Sequence, residues 1–364
     1  MTKVSQYCAN SLTGFMDIVA KISRLHNLSA SQLEGTQTVT SIRPLWFRGV
    51  EQSGYKLLPS AFRECERQQL FAPGSYNAVR LAEDVRYQHF SAKTYHQISD
   101  RPEHLIEWQE IMQHHLLPTR LMDWSENSIL ALLFAMEAYI TTENDLNWQN
   151  KRLLGSPCVW ILNPAELNSK VYDCLSDEAL IWQLVDDIMP NAKSSCSGQK
   201  LVFTISSLMK HKSVYGQLTQ RNMMHIDSIL SLSAIESMRR SAGDRLRNLL
   251  ETGGFNPYYY LLSRVYIDGV VIKDKKLPPI AEIHPYHSER IRAQKGIFTV
   301  HPFHETYAVP MELLDDCSDV LFKIRITNPG QIARELLHAG YRRSTLYPEM
   351  EYVAKDIRSG DFRF

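Results

Sequence analysis

A run of polar side chains around a single proline is the sequence feature that most constrains the fold. The run extends from His114 to Ser125 and lies between two apolar segments. The segment before it carries apolar residues on one face at helical spacing, whereas the segment after it, Ile129 to Met136, is apolar on every side. A helix that is apolar all round belongs inside a core, so we expect the polar run at the edge of that core.

The polar run is expected to lead the chain into the buried helix. Pro118 fixes one backbone angle at the entry, and either Ser125 or Asp123 can cap a helix that begins near Glu126. Capping is the simple explanation for one of these two residues. The other is then free to contact a ligand.

Capping does not account for His114, His115, Thr119 and Arg120. A helix N-terminus with an arginine and hydroxyl groups beside it favours an anion, which predicts a site for a pyrophosphate-bearing ligand. No metal site is expected, because adjacent residues on a helix point about 100° apart. The two histidines therefore cannot readily share one ion, and no third ligand stands at suitable spacing.

Three motifs that follow one another along the chain resemble those of the FRG domain family. They are an aromatic-Arg-Gly triplet ending at Gly49, a Pro-Ser-x-x-Arg segment from Pro59 to Arg63, and a His-x-x-x-Pro-Thr-Arg-Leu-x-Asp-Trp core from His114 to Trp124. Residues 159–164, 290–299 and 344–349 are similar to later segments of that family. The resemblance spans about residues 44 to 358 apart from an insert, and it divides the chain into four parts. These are an N-terminal helical extension (1–40), the first part of an FRG-like core (41–164), a mainly helical basic insert (165–280) and the second part of the core (281–364).

The patterns predict an α+β fold, because short strands are separated by helices. The resemblance further implies a split β-sheet core like that of the ADP-ribosyltransferases. The helices are predicted at 14–26, 76–97, 103–114, 126–141 and 329–338, with another after Pro348. The strands are predicted at 44–47, 158–162, 265–267, 269–272, 297–300 and 321–326.

The same resemblance implies a function. FRG domains recur in predicted toxin and phage-defence systems, and their strand-Arg-Gly opening is similar to that of ADP-ribosyltransferases. The chain is therefore expected to be an NAD-dependent ADP-ribosyltransferase toxin that uses NAD as a substrate, needs no metal and modifies a macromolecule. One alternative is a metal-independent ribonuclease toxin with His115 as general acid or base and Arg120 as phosphate clamp. Another is a non-catalytic module that senses a nucleotide.

The implied site combines residues from all three motifs. Arg48 presents a planar fork of donors to a phosphate or ribose, and Gly49 lets a ligand approach the backbone; alternatively, Arg48 is a structural arginine paired with Asp123. The third catalytic position falls on Gln294, with Glu289 as the alternative, while Glu349 and Glu351 either serve there or start the last helix. The cofactor-binding residues implied are Arg48, Gly49, His115, Thr119, Arg120, Asp123 and Ser125.

The insert is locally basic. Between Lys193 and Arg264 there are ten Lys or Arg residues against four Asp or Glu, a surplus of six. Phosphate-seeking charge beside stackable rings favours single-stranded nucleic acid, so RNA is the expected acceptor. The alternatives are a solvated surface or the docking surface of an acidic antitoxin protein. The residues expected to bind nucleic acid are Arg239, Arg240, Arg245, Arg247 and Tyr259.

Composition excludes several other classes. Lys plus Arg equals Asp plus Glu at 40 each in the 364 residues, so net charge indicates no partner. The six cysteines show no Cys-x-x-Cys spacing, which favours reduced thiols over a zinc site. The longest apolar run is too short to cross a bilayer and the chain starts with polar residues, so a cytoplasmic protein without membrane contact is expected.

Overall fold

The computed structural model describes part of the chain, and every structural statement below refers to that part. The described residues are 4–33, 44–67, 76–98, 102, 105–140, 156–175, 265–266, 269, 271–272, 275–282, 288–304 and 309–358. Most of the predicted basic insert lies outside them. Outside them too are the predicted nucleic-acid contacts Arg239, Arg240, Arg245, Arg247 and Tyr259.

The described elements form a mixed α+β fold. Seven strands are present: β1 (Ser5–Ala9), β2 (Trp46–Val50), β3 (Leu121–Ser125), β4 (Cys158–Leu162), β5 (Ile280–Glu282), β6 (Gly296–Val300) and β7 (Leu321–Ile326). The longer helices are α1 (Leu12–Leu33), α2 (Ser60–Arg67), α3 (Tyr76–Thr94), α4 (Leu105–His114), α5 (Ser128–Ala135), α7 (Pro164–Leu175) and α9 (Pro329–His338). The short helices are α6 (Glu137–Ile140), α8 (Glu289–Gln294), α10 (Arg343–Leu346) and α11 (Met350–Asp356), with 3-10 turns at Met311–Leu313 and Asp315–Cys317.

The strands form one open sheet with a weak join near its centre. Their order is β1-β7-β4-β2-β3-β6-β5, and every pairing is antiparallel except that of β1 with β7. Five residue pairs join β2 to β4 and five join β3 to β6, whereas β2 and β3 share the single pair Phe47–Ser125. The sheet is therefore divided into two halves that separate beyond this pair.

Both faces of the sheet are covered by helices or turns. Successive side chains in a strand point to opposite faces, so each strand contributes residues to two cores. Phe47 and Ile161 lie in one core with helices α1, α5 and α9. Their neighbours Trp46 and Trp160 lie in a second core with α7 and the 3-10 turns. All five residues of β4 are buried, as expected of a strand in the middle of a covered sheet.

Several predicted elements are confirmed and others are not. Strand 158–162, strand 321–326 and helix 329–338 have the predicted bounds. The predicted N-terminal extension also contributes a strand, since β1 pairs with β7 at the sheet edge. No strand is found among the described residues of 265–272.

The predicted polar corner is also different in the structure. Residues 121–125 form β3 instead of leading directly into the helix, and the cap of α5 is Asn127, whose side chain accepts from the backbone N–H groups of Ile129 and Leu130. Asp123 and Ser125 are two positions apart on this strand, so their side chains point to the same face, and neither caps the helix. The prediction of a cap at either residue was wrong because local sequence does not reveal the pairing of β3 with β6.

Gly49 is required by the packing of β2 on α5. A Cβ atom at this position would lie 2.7 Å from the backbone nitrogen of Ala135 and would collide with the carbonyl group of Ala131. Backbone atoms of a buried helix cannot move aside cheaply. We expect Gly49→Ala to lower the free energy of unfolding by about 1–3 kcal/mol or more, measured by urea denaturation. The control is Gly54→Ala, where no atom lies within 4 Å of the added Cβ.

None of the described helices is both long enough and apolar enough to span a bilayer.

Candidate active site

A cleft of about 380 Å³ opens where the two halves of the sheet separate. Its walls combine β2, β3 and β6 with the ends of helices α4 and α8, so residues distant in the sequence meet around one space. The polar lining residues are Arg48, Glu110, Gln113, His114, Asp123, Ser125, Arg290 and Gln294. The aromatic lining residues are Phe47, Trp124, Phe134, Phe298 and Tyr347.

Arg48 spans the join between the two halves of the sheet. Its Nη1 donates to the backbone carbonyl of Asp123 at 2.5 Å and lies 3.6 Å from the Asp123 Oδ2 atom. Burial lowers the pKa of the guanidinium, while the Asp123 carboxylate opposes this change. The Arg48 side chain is 19 % exposed and that of Asp123 is 61 % exposed. Arg48 therefore forms the ion pair with Asp123, and part of its guanidinium group still faces the cleft.

Glu110 places a buried carboxyl group in the cleft wall. It lies on α4 and is 1 % exposed. Burial raises its pKa well above the usual value, and the neighbouring carboxyls Glu282 and Glu107 raise it further. Burial likewise raises the pKa of Glu282, which lies on β5 opposite the cleft residue Phe298. Two carboxyls in a region of low dielectric do not both ionise readily, so the protonated form of Glu110 is favoured.

The two adjacent histidines have different surroundings. His114 lines the cleft, whereas His115 lies outside the lining and is exposed, with its ring 6.0 Å from that of Phe90. Burial lowers the pKa of His114, and the nearby Arg290 lowers it further. The structure therefore places His114, and not the predicted His115, at the cleft.

Arg120 and Thr119 do not line the cleft. Arg120 is 2 % exposed, and its Nε atom pairs with Glu83 Oε2 at 2.7 Å while its guanidinium lies 4.4 Å from the ring centre of Phe303. Thr119 is fully buried, and its backbone N–H donates to the hydroxyl of Ser60 at 3.1 Å. The predicted arrangement of both residues around a ligand is corrected, because their polar groups are used inside the protein.

The two predicted residues for the third catalytic position both lie on helix α8 instead of a strand. Gln294 lines the cleft, but its side-chain amide donates to the backbone carbonyl of Leu346 at 3.0 Å, and the backbone carbonyl of Gln294 accepts from the Ser125 hydroxyl. The Glu289 side chain is 81 % exposed and pairs with Arg292 at 3.5 Å, outside the cleft lining. Of the two, Gln294 alone reaches the site, where its position is fixed by hydrogen bonds.

Backbone strain is present at the cleft as well. Leu116 and Lys295 are the described non-glycine residues with positive φ, at 67° and 47°. Leu116 follows the end of helix α4, lines the cleft and is 89 % exposed, and Lys295 caps helix α8. Such conformations cost on the order of 1–3 kcal/mol and are concentrated at functional sites.

Much of this site lies in one segment that resembles a known family. Residues 43–144 match the FRG domain. The matched segment covers less than a third of the chain but includes β2, β3 and the helices between them. Searches of curated proteins and of solved structures found no match to the chain.

The FRG segment supplies one wall of the cleft, and later residues supply the other. Arg48, Glu110, His114 and Asp123 belong to the segment, whereas Arg290, Gln294 and Tyr347 lie outside it. The Pro-Ser and Pro-Thr-Arg motifs also contact each other, since the Ser60 hydroxyl accepts from Thr119. Some residues of these motifs therefore pack inside the protein, and others line the cleft.

Sequence reasoning missed Glu110 as a site residue. A signal for it was present, because Glu110 follows the apolar Ile106 by one helical turn on the same face of α4, and both residues are buried. A carboxyl on such a face is rarely buried without a specific role. In the described part of the chain, no three His, Cys, Asp or Glu residues are grouped so that they can hold a metal ion.

Proposed function

We propose that the protein is an ADP-ribosyltransferase that consumes NAD at this cleft and transfers ADP-ribose to a macromolecule. The observation that carries the proposal is the meeting of Arg48, a buried carboxyl and five aromatic rings around one space at the sheet join. Arginine suits a pyrophosphate, and aromatic rings suit a planar base. A volume of about 380 Å³ is near the lower end of the range for ligand pockets, roughly 300–1,000 Å³, so part of NAD fits inside.

Glu110 is the proposed third catalytic residue, in place of Gln294 and Glu289. As nicotinamide leaves, positive charge grows on the ribose and is stabilised by a nearby carboxylate. Bound NAD carries a cationic nicotinamide ring, which favours ionisation of Glu110 with loss of its proton to solvent. A glutamine at position 294 cannot supply this charge, and Glu289 lies outside the cleft.

The biological role proposed is that of a toxin in a toxin-antitoxin or phage-defence system, with RNA as acceptor and a partner antitoxin. These parts of the proposal rest on the FRG resemblance and on the basic insert. The ribonuclease alternative requires Arg120 to clamp a phosphate, and a side chain that lies outside the cleft lining and is paired with Glu83 is unsuited to that role. The remaining alternative is a nucleotide sensor.

The test follows release of nicotinamide from NAD by the wild-type protein and by Glu110→Gln. We expect release by wild type and a loss of about 100- to 1,000-fold in the variant, the usual effect of removing a group that stabilises transition-state charge. Glu289→Gln is the matched control and should retain wild-type release. NAD binding without release would favour a sensor, and degradation of RNA in the absence of NAD would favour a ribonuclease.

A further inference from the structure

One wall of the cleft carries a histidine beside an ion pair. His114 and Arg290 both line the cleft, from the end of α4 and from α8. Arg290 pairs with Glu349, with its Nε and Nη2 atoms 2.7 and 2.5 Å from the Oε1 atom. The described structure shows no hydrogen-bond partner for the buried Oε2 atom of Glu349. None of these groups has a role in the release of nicotinamide proposed above.

The burial of His114 and the charges around it together favour its neutral form. Burial is the largest effect, Arg290 and His115 also lower the pKa, and Glu349 opposes them. The other ionisable groups of the same cleft are Arg48, Glu110, Asp123 and Tyr347, which face it from β2, α4, β3 and the end of α10. Because the pKa of His114 lies below its usual value, the ring is neutral at pH 7 and can accept a proton.

We infer that His114 is the general base that deprotonates the acceptor, and that the acceptor group is therefore an O–H or N–H group and not a carboxylate. This inference rests on the proposed function. In the step, a lone pair of the acceptor oxygen or nitrogen forms a bond to C1′ of the ribose. The bond from C1′ to nicotinamide breaks, and its electron pair leaves with neutral nicotinamide. The acceptor proton passes to the ring of His114 and then to solvent.

The composition of the cleft agrees with an acceptor that carries a proton. A carboxylate acceptor has no proton to lose at neutral pH, so a base beside it would serve no purpose. A hydroxyl group, or an amino or ring N–H group of a nucleobase, has such a proton to lose.

The adjacent histidines allow a matched experiment. His114→Gln and His115→Gln are incubated with labelled NAD and separate cell fractions of RNA, DNA and protein, and both labelled product and free nicotinamide are measured. We expect the ratio of transfer to nicotinamide release to fall by about 100-fold in His114→Gln and to be unchanged in His115→Gln. Mass spectrometry of the wild-type product should place ADP-ribose on an oxygen or nitrogen that carried a proton, and not on a carboxylate.

The pH dependence provides a readout that a merely structural role would not change. Transfer by wild type should fall as the pH drops through the pKa of His114, and the dependence should disappear in His114→Gln. In Arg290→Gln the loss of a positive charge raises that pKa, so the acid limb should move to higher pH. The same displacement should be seen in the NMR titration of the His114 ring.

The outcomes separate this inference from the proposed function. Wild-type transfer in His114→Gln would overturn the base, and ADP-ribose found on a carboxylate would overturn the acceptor class; both would leave NAD cleavage intact. A wild-type protein that releases no nicotinamide would overturn the proposed function, and this inference with it.

Discussion

Replacing Arg120 with alanine is expected to lower the free energy of unfolding by about 3–5 kcal/mol, because it leaves Glu83 as a buried carboxylate without its ion-pair partner. The two side chains are 2 % and 6 % exposed, so water cannot replace the lost contact. The variant also loses the contact with the Phe303 ring and the hydrogen bond to the carbonyl of His301. Thermal and urea denaturation at neutral pH measure the change.

A neighbouring ion pair provides the control. Arg86 pairs with Glu64 at 2.6 Å, and these side chains are 25 % and 27 % exposed. Water screens such a pair, and we expect Arg86→Ala to cost only about 0–1 kcal/mol. If Arg120→Ala instead kept its stability and lost NAD binding, Arg120 would be a ligand contact and its buried position would be disproved.

The second large effect is expected at Arg48. Arg48→Ala should reduce kcat/KM for nicotinamide release by about 10- to 100-fold, since a hydrogen bond to a charged group contributes roughly 1.5–3 kcal/mol. The effect on the free energy of unfolding should be smaller, about 1 kcal/mol or less, because Asp123 is mostly exposed to solvent. Initial rates with NAD and melting temperatures are measured on the same samples.

The partner of Arg48 separates the two explanations of this residue. Asp123→Asn keeps the shape of the side chain and the backbone carbonyl that accepts from Arg48, but removes the charge. If Arg48 binds NAD, Asp123→Asn should retain far more activity than Arg48→Ala. Equal losses of activity and of melting temperature in both variants would show that Arg48 is only a structural ion-pair residue.

Local sequence patterns correctly predicted the elements whose spacing of apolar residues matches the way they are buried in the fold. Helix 329–338 has an apolar face, an N-terminal proline and a cap at Asn328 within its own sequence, and its bounds were predicted correctly. Strand 158–162 is a short apolar run that lies in the centre of the sheet. The α+β class was also predicted and is confirmed. Six residues were predicted around one cleft, of which Arg48, Asp123 and Gln294 line it, whereas His115, Thr119 and Arg120 do not.

Residue type and spacing were not sufficient where two similar side chains had to be assigned different environments. Arg48 and Arg120 both stand in the motifs that resemble the FRG domain family, and His114 and His115 are adjacent. Which histidine faces the cleft depends on the rotation of α4 about its axis, since neighbouring residues point about 100° apart. Arg120 is the buried arginine because it pairs with Glu83, which lies 37 residues before it in the sequence.

The sequence by itself determined the alternation of helices and strands and the polar run at the edge of the core. The tertiary structure decided that residues 121–125 form a strand, that Glu110 is a cleft carboxyl and that Arg120 is an internal ion-pair residue. These outcomes depend on contacts between distant residues, such as that between Ser125 and Gln294, which are 169 positions apart. Local propensity carries no record of such contacts, because the energy that selects them exists only once both halves of the sheet have formed.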